Sequence, residues 1–169
     1  MHASAVVLGE AGVLITGPSG AGKSTLSHAL VEEWQARGRF ARWVADDRVV
    51  VAPQGGRLVA RPPARIAGLA ERTGVGVVPV EHLAAARLTL LVELSKERLR
   101  TPEPCEAVAS VCGIALPRLV VERRATATSL LAVAAVLAGQ GLTGLGCATQ
   151  RPAAGAILGT AACTGGDDR

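Results

Sequence analysis

The chain is 169 residues long with a formal net charge of +4, no Tyr, one Phe and two Trp. That length supports one domain with a real hydrophobic core. So few aromatics exclude a stacking platform for single-stranded nucleic acid, and the scattered basic residues read as a solvated surface biased toward acidic partners or phosphates.

Residues 5–8, Ala-Val-Val-Leu, read as a strand that Gly9-Glu-Ala-Gly12 turns into a second strand over 12–16. Directly after it comes Gly17-Pro18-Ser19-Gly20-Ala21-Gly22-Lys23-Ser24-Thr25. This segment satisfies the phosphate-binding pattern G-x-x-x-x-G-K-[ST]. Its glycines let backbone N–H groups close on phosphate oxygens where side chains would block them. Lys23 supplies a compact positive charge for the outer phosphates, and the Ser24 hydroxyl can join the shell of Mg²⁺. Leu26, Leu30 and Trp34 then recur at i, i+4 and i+8, one stripe of an amphipathic helix ending near Gly38. A loop between a strand and a helix N-terminus points orphan amides and the helix dipole at an anion. A nucleoside triphosphate or a related phosphate compound is therefore the expected ligand.

Residues 40–45 read as a strand ending in Asp46-Asp47. An acid at a strand end downstream of a phosphate loop is placed to face magnesium or its waters. Adjacent acids on an extended segment point to opposite sides, so the two should do different work. Residues 49–52 and 57–60 flank Pro53-Gln-Gly-Gly56, a hairpin signal. Pro62-Pro63 is expected to start a short helix running through Arg72, with Gly74 at its C′ position. Residues 75–80, 88–94, 106–112 and 116–121 read as strands, 96–100 as a helical turn and 126–138 as a last helix. From 139 to 169 the sequence is rich in Gly, Ala and Thr and is expected to be a poorly ordered tail following a domain over 1–138. Together these elements predict an α/β fold: a P-loop-containing mixed sheet with flanking helices.

Cys105, Cys112, Cys147 and Cys163 form no C-x-x-C pair, which favours reduced thiols in a cytoplasmic protein over a zinc site. No signal peptide is recognisable, and the apolar part of the uncharged stretch 125–150 is too short to span a bilayer. No membrane insertion is expected.

Taken in order, His2-Ala-Ser-Ala-Val6, the loop from Gly12 to Ser24, and Val44-Ala-Asp-Asp-Arg48 resemble the catalytic domain of HPr kinase/phosphorylase. Pro62-Pro-Ala, Ile66-Ala-Gly-Leu, Glu71 and Gly74-Val-Gly-Val77 are similar to that family's signature segment. Leu90-Leu-Val-Glu-Leu94 and Gly113-Ile-Ala-Leu-Pro-Arg-Leu119 also fit. The likeness covers residues 1–137 and is nearest to short bacterial versions without the separate N-terminal domain.

The resemblance implies a kinase that uses ATP and Mg²⁺ to phosphorylate a serine of HPr, a small phosphocarrier, and so regulates carbohydrate metabolism. It implies a fold like the nucleotide-binding core of phosphoenolpyruvate carboxykinase, and a hexamer. Carried over residue by residue, Gly17 to Thr25 would hold the phosphates, with Ser24, Glu71 and Asp46 around Mg²⁺. Asp46 would accept the serine proton, with Asp47 beside it, His2 near that acid and Lys23 on the transferred phosphoryl. The chain departs from the family at Thr25, where many members have an acid. It departs again at Glu71-Arg72-Thr73-Gly74, where the family's arginine directly precedes the glycine. The latter segment is associated with the reverse, phosphate-dependent dephosphorylation, so the resemblance is weaker for that reaction. Two further readings stay open: a small-molecule kinase of the same architecture, and a nucleotide-sensing module without efficient transfer.

Overall fold

The computed structural model describes residues 1–72, 74–96 and 107–139. Ser4–Leu8 (β1) and Ala11–Thr16 (β2) form an antiparallel hairpin, turned at Gly9 with φ 62°. Lys23–Ala36 (α1) follows the glycine loop, and Ala41–Ala45 (β3) returns to pair antiparallel with β1. Val50–Gln54 (β4) and Arg57–Arg61 (β5) make the expected hairpin, with Gly55 and Gly56 both at positive φ in its turn. Leu69–Arg72 (β6) and Gly76–Pro79 (β7) form a separate two-stranded ribbon. Ala86–Ser95 (β8), Val108–Val111 (β9) and Ile114–Glu122 (β10) complete the strands, and Thr126–Leu137 (α2) ends the described fold.

The main sheet runs β3-β1-β2-β8-β10-β9, with β5 joining β8 and β4 joining β5. Pairing of β2 with β8, and of β8 with β10, is parallel. Because β1 is antiparallel to both β2 and β3, those two strands also run the same way. The C-terminal ends of β3, β2, β8 and β10 thus share one edge, the edge at which open α/β sheets place ligands. The expected mixed sheet with antiparallel parts is what the chain forms.

Alternation along the strands sends side chains to two cores. Val13 and Ile15 of β2 meet Leu26, Leu30 and Trp34 of α1 on one face. Leu14 faces the other way, toward Val44, Val49, Leu58 and Ala60 beneath the β4–β5 hairpin. A register shift opposite Gly12 and Val13 lets Leu88 and Leu91 of β8 share that second core although they are three residues apart.

Residues 62–72 do not form the expected helix. A 3₁₀ turn over Ala64–Ile66 is all the helix present, and Leu69–Arg72 is extended. Leu-Ala-Glu-Arg is a run of helix-favouring residues, but Ala70 is drawn into the α1-side core while the Glu71 N–H and C=O bond to Asp46 and His28. Tertiary contacts override local propensity here. Gly74, at φ 80°, turns the β6–β7 ribbon instead of capping a helix. The expected turn over 96–100 lies outside the described residues but for Lys96, and the expected tail over 139–169 but for Gly139.

Gly12 is fixed by close approach: a Cβ there would sit 1.9 Å from the Arg87 carbonyl oxygen. Gly12→Ala is expected to cost about 1–3 kcal/mol by forcing β2 and β8 apart. A lowered urea midpoint at unchanged slope is the readout.

Candidate active site

The loop between β2 and α1 is built by backbone constraint. Gly17 has φ 146°, and a Cβ there would lie 2.9 Å from both Cβ and the carbonyl oxygen of Leu94 on β8. Gly20 and Gly22 also have positive φ, at 69° and 99°. Gly22 is the α1 N-cap without a side-chain cap bond, so the first amides of the helix open toward the loop. Within it Ala21 is buried, Pro18, Ser19 and Gly20 are exposed to varying degrees, Ser24 is half-buried and Thr25 faces solvent.

Lys23 is 9% exposed, and its Nζ donates to the carbonyl oxygens of Gly17 and Pro18, both at 3.1 Å. From the far end of the fold, Arg124 reaches the same loop. Its backbone N–H donates to Ala21 O at 3.2 Å and its Nε to Gly20 O at 3.3 Å. Arg124 has φ 60°, and that left-handed turn after β10 brings its backbone beside Gly22. Arg124 is not among the candidate site residues that the sequence suggests. The available signal was two arginines directly after a strand whose end shares the loop's edge.

Asp46 follows β3 at this edge. Ser4 pairs with Ile15 in one direction, and Ala5 with Ala45 in the other, so Asp46 lies level with the end of β2. The two strand ends are two strand spacings apart, roughly 10 Å. A register shift near Ala5 and Val6 re-aims this end of β3. The Asp46 side chain is 4% exposed, and both of its oxygens are engaged. Ser4 Oγ donates to Oδ1 at 2.7 Å, and the Glu71 backbone N–H donates to Oδ2 at 3.0 Å. Burying a carboxylate is tolerable only when it is satisfied in this way.

Asp47 turns the other way. Its φ of 60° reverses the chain, and its side chain is 57% exposed against His2 Nδ1 at 3.2 Å. His2 therefore stands beside Asp47, not beside Asp46 as the family pattern suggests, and Ser4 takes the place against Asp46. The two acids do separate, although a left-handed residue and not simple strand alternation separates them.

Glu71 reaches this edge through its backbone, which joins Asp46 to His28; its side chain is exposed. Among the described residues, no three His, Cys, Asp or Glu side chains gather as a ready metal cage. Mg²⁺ needs no such cage, since it usually takes one or two carboxylates and completes its shell with water and phosphate. A cavity of about 460 Å³ lies at the opposite end of α1, lined by Leu8, Glu10, Trp34, Phe40 and Leu137, and shares no residue with the loop. No helix among the described residues is long and apolar enough to cross a membrane.

A glycine loop, its lysine, a distant arginine and a buried acid stand at the C-terminal edge of a mixed sheet in an α/β domain. The chain belongs to the HPr Serine kinase C-terminal domain family, whose model matches residues 1–100. The HPr kinase/phosphorylase of Levilactobacillus brevis is 40% identical over 87 residues, covering 51% of this chain and 26% of that protein. Its counterpart from Clostridium beijerinckii is 36% identical over 83 residues, covering 49% and 26%. The chain thus spans about a quarter of the length of these curated relatives. The structure of the Hpr(Ser) kinase/phosphatase from Coxiella burnetii superposes with a TM-score of 0.66 at 25% identity, over 83% of this chain and 98% of that one.

Ser4→Ala would leave Asp46 Oδ1 without its donor at a buried position. The expected cost is about 1–3 kcal/mol, read in urea unfolding.

Proposed function

We propose that the chain carries an ATP- and Mg²⁺-dependent serine kinase that acts on HPr or an HPr-like protein, in the control of carbohydrate metabolism. One observation carries this reading: the loop with Lys23 and the buried Asp46 stand at the same edge of the sheet in a chain of the HPr kinase family. The names of its relatives supply the acceptor. The same reading places the protein in the cytoplasm, gives it a core like that of phosphoenolpyruvate carboxykinase, and makes it a homo-hexamer.

The chemistry follows from the residues present. Ser19 and Gly22 amides, the open N-terminus of α1 and Lys23 receive the phosphates, and Lys23 exchanges its two carbonyl contacts for phosphate oxygens as they enter. Arg124 adds a second cation at the loop. Ser24, with Asp46 and Glu71, would hold Mg²⁺, which supplies charge neutralisation on the phosphoryl oxygens. Serine is a weak nucleophile, so an acid must orient its hydroxyl and take its proton as the oxygen–phosphorus bond forms. Asp46 is assigned that role. Ser4 and the Glu71 amide fix its plane, and each carboxylate oxygen keeps a second lone pair for an incoming donor. Asp47 and His2, both exposed, flank the entrance that a protein acceptor must use.

The test is transfer of label from ATP to a serine of HPr in the presence of Mg²⁺. Lys23→Ala and Asp46→Asn are each expected to lower transfer by 100-fold or more. Asp46→Asn keeps the shape of the site, since an amide can accept from the Glu71 N–H while donating to Ser4 Oγ. Nucleotide affinity should therefore survive in Asp46→Asn, while Arg124→Ala should weaken it about tenfold, a loss of about 1.4 kcal/mol. Binding of ATP without transfer to any acceptor would favour a sensing module. Transfer to a metabolite extract but not to HPr would favour a small-molecule kinase.

A further inference from the structure

Ser24, His28 and Glu32 recur at i, i+4 and i+8 and so line one face of α1. Strand β6 lies along this row. His28 Nε2 stands 3.2 Å from the Glu71 carbonyl oxygen, and Glu32 pairs with the Arg72 guanidinium. The N–H of the same residue meets Asp46 Oδ2 at 3.0 Å. Glu71 is thus gripped through both its backbone groups, by His28 from the helix and by Asp46 from the sheet.

A carbonyl oxygen only accepts, so His28 must present Nε2–H. The ring is set for this by Trp43, which it meets edge-on at a centroid distance of 4.6 Å and an interplanar angle of 61°. Trp43 is itself buried in β3, three residues before Asp46. The β6–β7 ribbon has little else to hold it. Two-stranded ribbons are marginal alone, and of its apolar side chains Ala70 is buried while Leu69 and Val77 are exposed.

We infer that His28 is a positioning residue for phosphoryl transfer: its bond to the Glu71 carbonyl seats β6 so that the Glu71 amide holds the Asp46 carboxylate in its working plane. The inference rests on the assignment of Asp46 as the proton acceptor. His28 acts on Asp46 through the backbone of Glu71. Loss of its donor lets β6 drift from α1, frees Asp46 Oδ2 from its backbone tether, and lowers the rate of transfer without altering the loop that binds nucleotide.

Two substitutions separate the hydrogen bond from packing. His28→Leu fills the space beside Trp43 but has no donor. His28→Gln offers an amide N–H at a similar reach. Amide hydrogen exchange at Glu71, read in the free protein without nucleotide or acceptor, should accelerate about tenfold or more in His28→Leu and return toward the parent rate in His28→Gln. In transfer assays kcat should fall about tenfold in His28→Leu, with nucleotide Kd unchanged and kcat largely restored in His28→Gln. Unchanged Glu71 exchange in a folded His28→Leu protein overturns the inference. So does equal loss in the Leu and Gln variants, which would make His28 a packing residue only. Where His28→Leu does not fold, His28→Met serves the same comparison. If the parent transfers phosphate to no acceptor, the functional reading fails while the exchange experiment still decides whether His28 seats β6.

Discussion

The buried carboxylate of Asp46 is the constraint on which the site depends. An acid 4% exposed at a strand end is costly unless each oxygen has a donor, and here the donors come from segments far apart in the chain. Ser4 comes from the first strand, 42 residues before it, and the Glu71 amide from a ribbon 25 residues after it. Satisfying one side chain therefore ties β1, β3 and β6 together at one edge. Because Ser4 lies on the strand between β2 and β3, the same bond keeps the acid level with the start of the glycine loop. Position and satisfaction are one problem, solved once.

Asp46 and Asp47 show how neighbouring residues of one type acquire different surroundings. Asp46 is the last residue before the backbone reverses, and it inherits the inward aim of β3. Asp47, with φ 60°, adopts a conformation that Asp tolerates better than most side chains, and the reversal throws its carboxylate to the surface against His2. The turn is stitched by the Arg48 N–H to the Asp46 carbonyl at 2.7 Å and by the bridge between His2 and Arg48. The first residues of the chain are thus part of the site's rim, because their backbone pairs with the segment that carries the acids.

Much of the scaffold was legible in the sequence because local pattern and tertiary demand agreed there. The apolar runs over 5–8 and 12–16 became strands, Leu26, Leu30 and Trp34 became the buried stripe of α1, and Pro-Gln-Gly-Gly turned a hairpin. The glycine loop was legible because its spacing encodes backbone shape directly. Residues 62–72 misled because their composition favours a helix while the site needs their peptides extended, with one N–H free for Asp46 and one C=O free for His28. A helix would have consumed both groups internally. Ser4, His28 and Arg124 were missed for a different reason. Each meets its partner across at least 40 residues of chain, and no spacing rule spans such distances.

The loop itself illustrates why groups outside the glycines matter to a backbone anion site. A trans peptide sends its C=O and the following N–H in opposite directions. Lys23 on Pro18 O, and the Arg124 amide on Ala21 O, draw those carbonyls one way, so the N–H groups of Ser19 and Gly22 turn the other way. Of the two amides between them, that of Ala21 is already used, since its N–H donates to Pro18 O at 3.2 Å. Donors that seem to belong to the loop alone are therefore oriented in part by a side chain within it and by a residue 104 positions from Gly20. The glycines permit that geometry, and the Lys23 ammonium and the Arg124 backbone amide select it. An isolated peptide with the same motif would have the permission without the selection, which is why the strand order that returns β10 beside β8 belongs to the chemistry as much as the motif does.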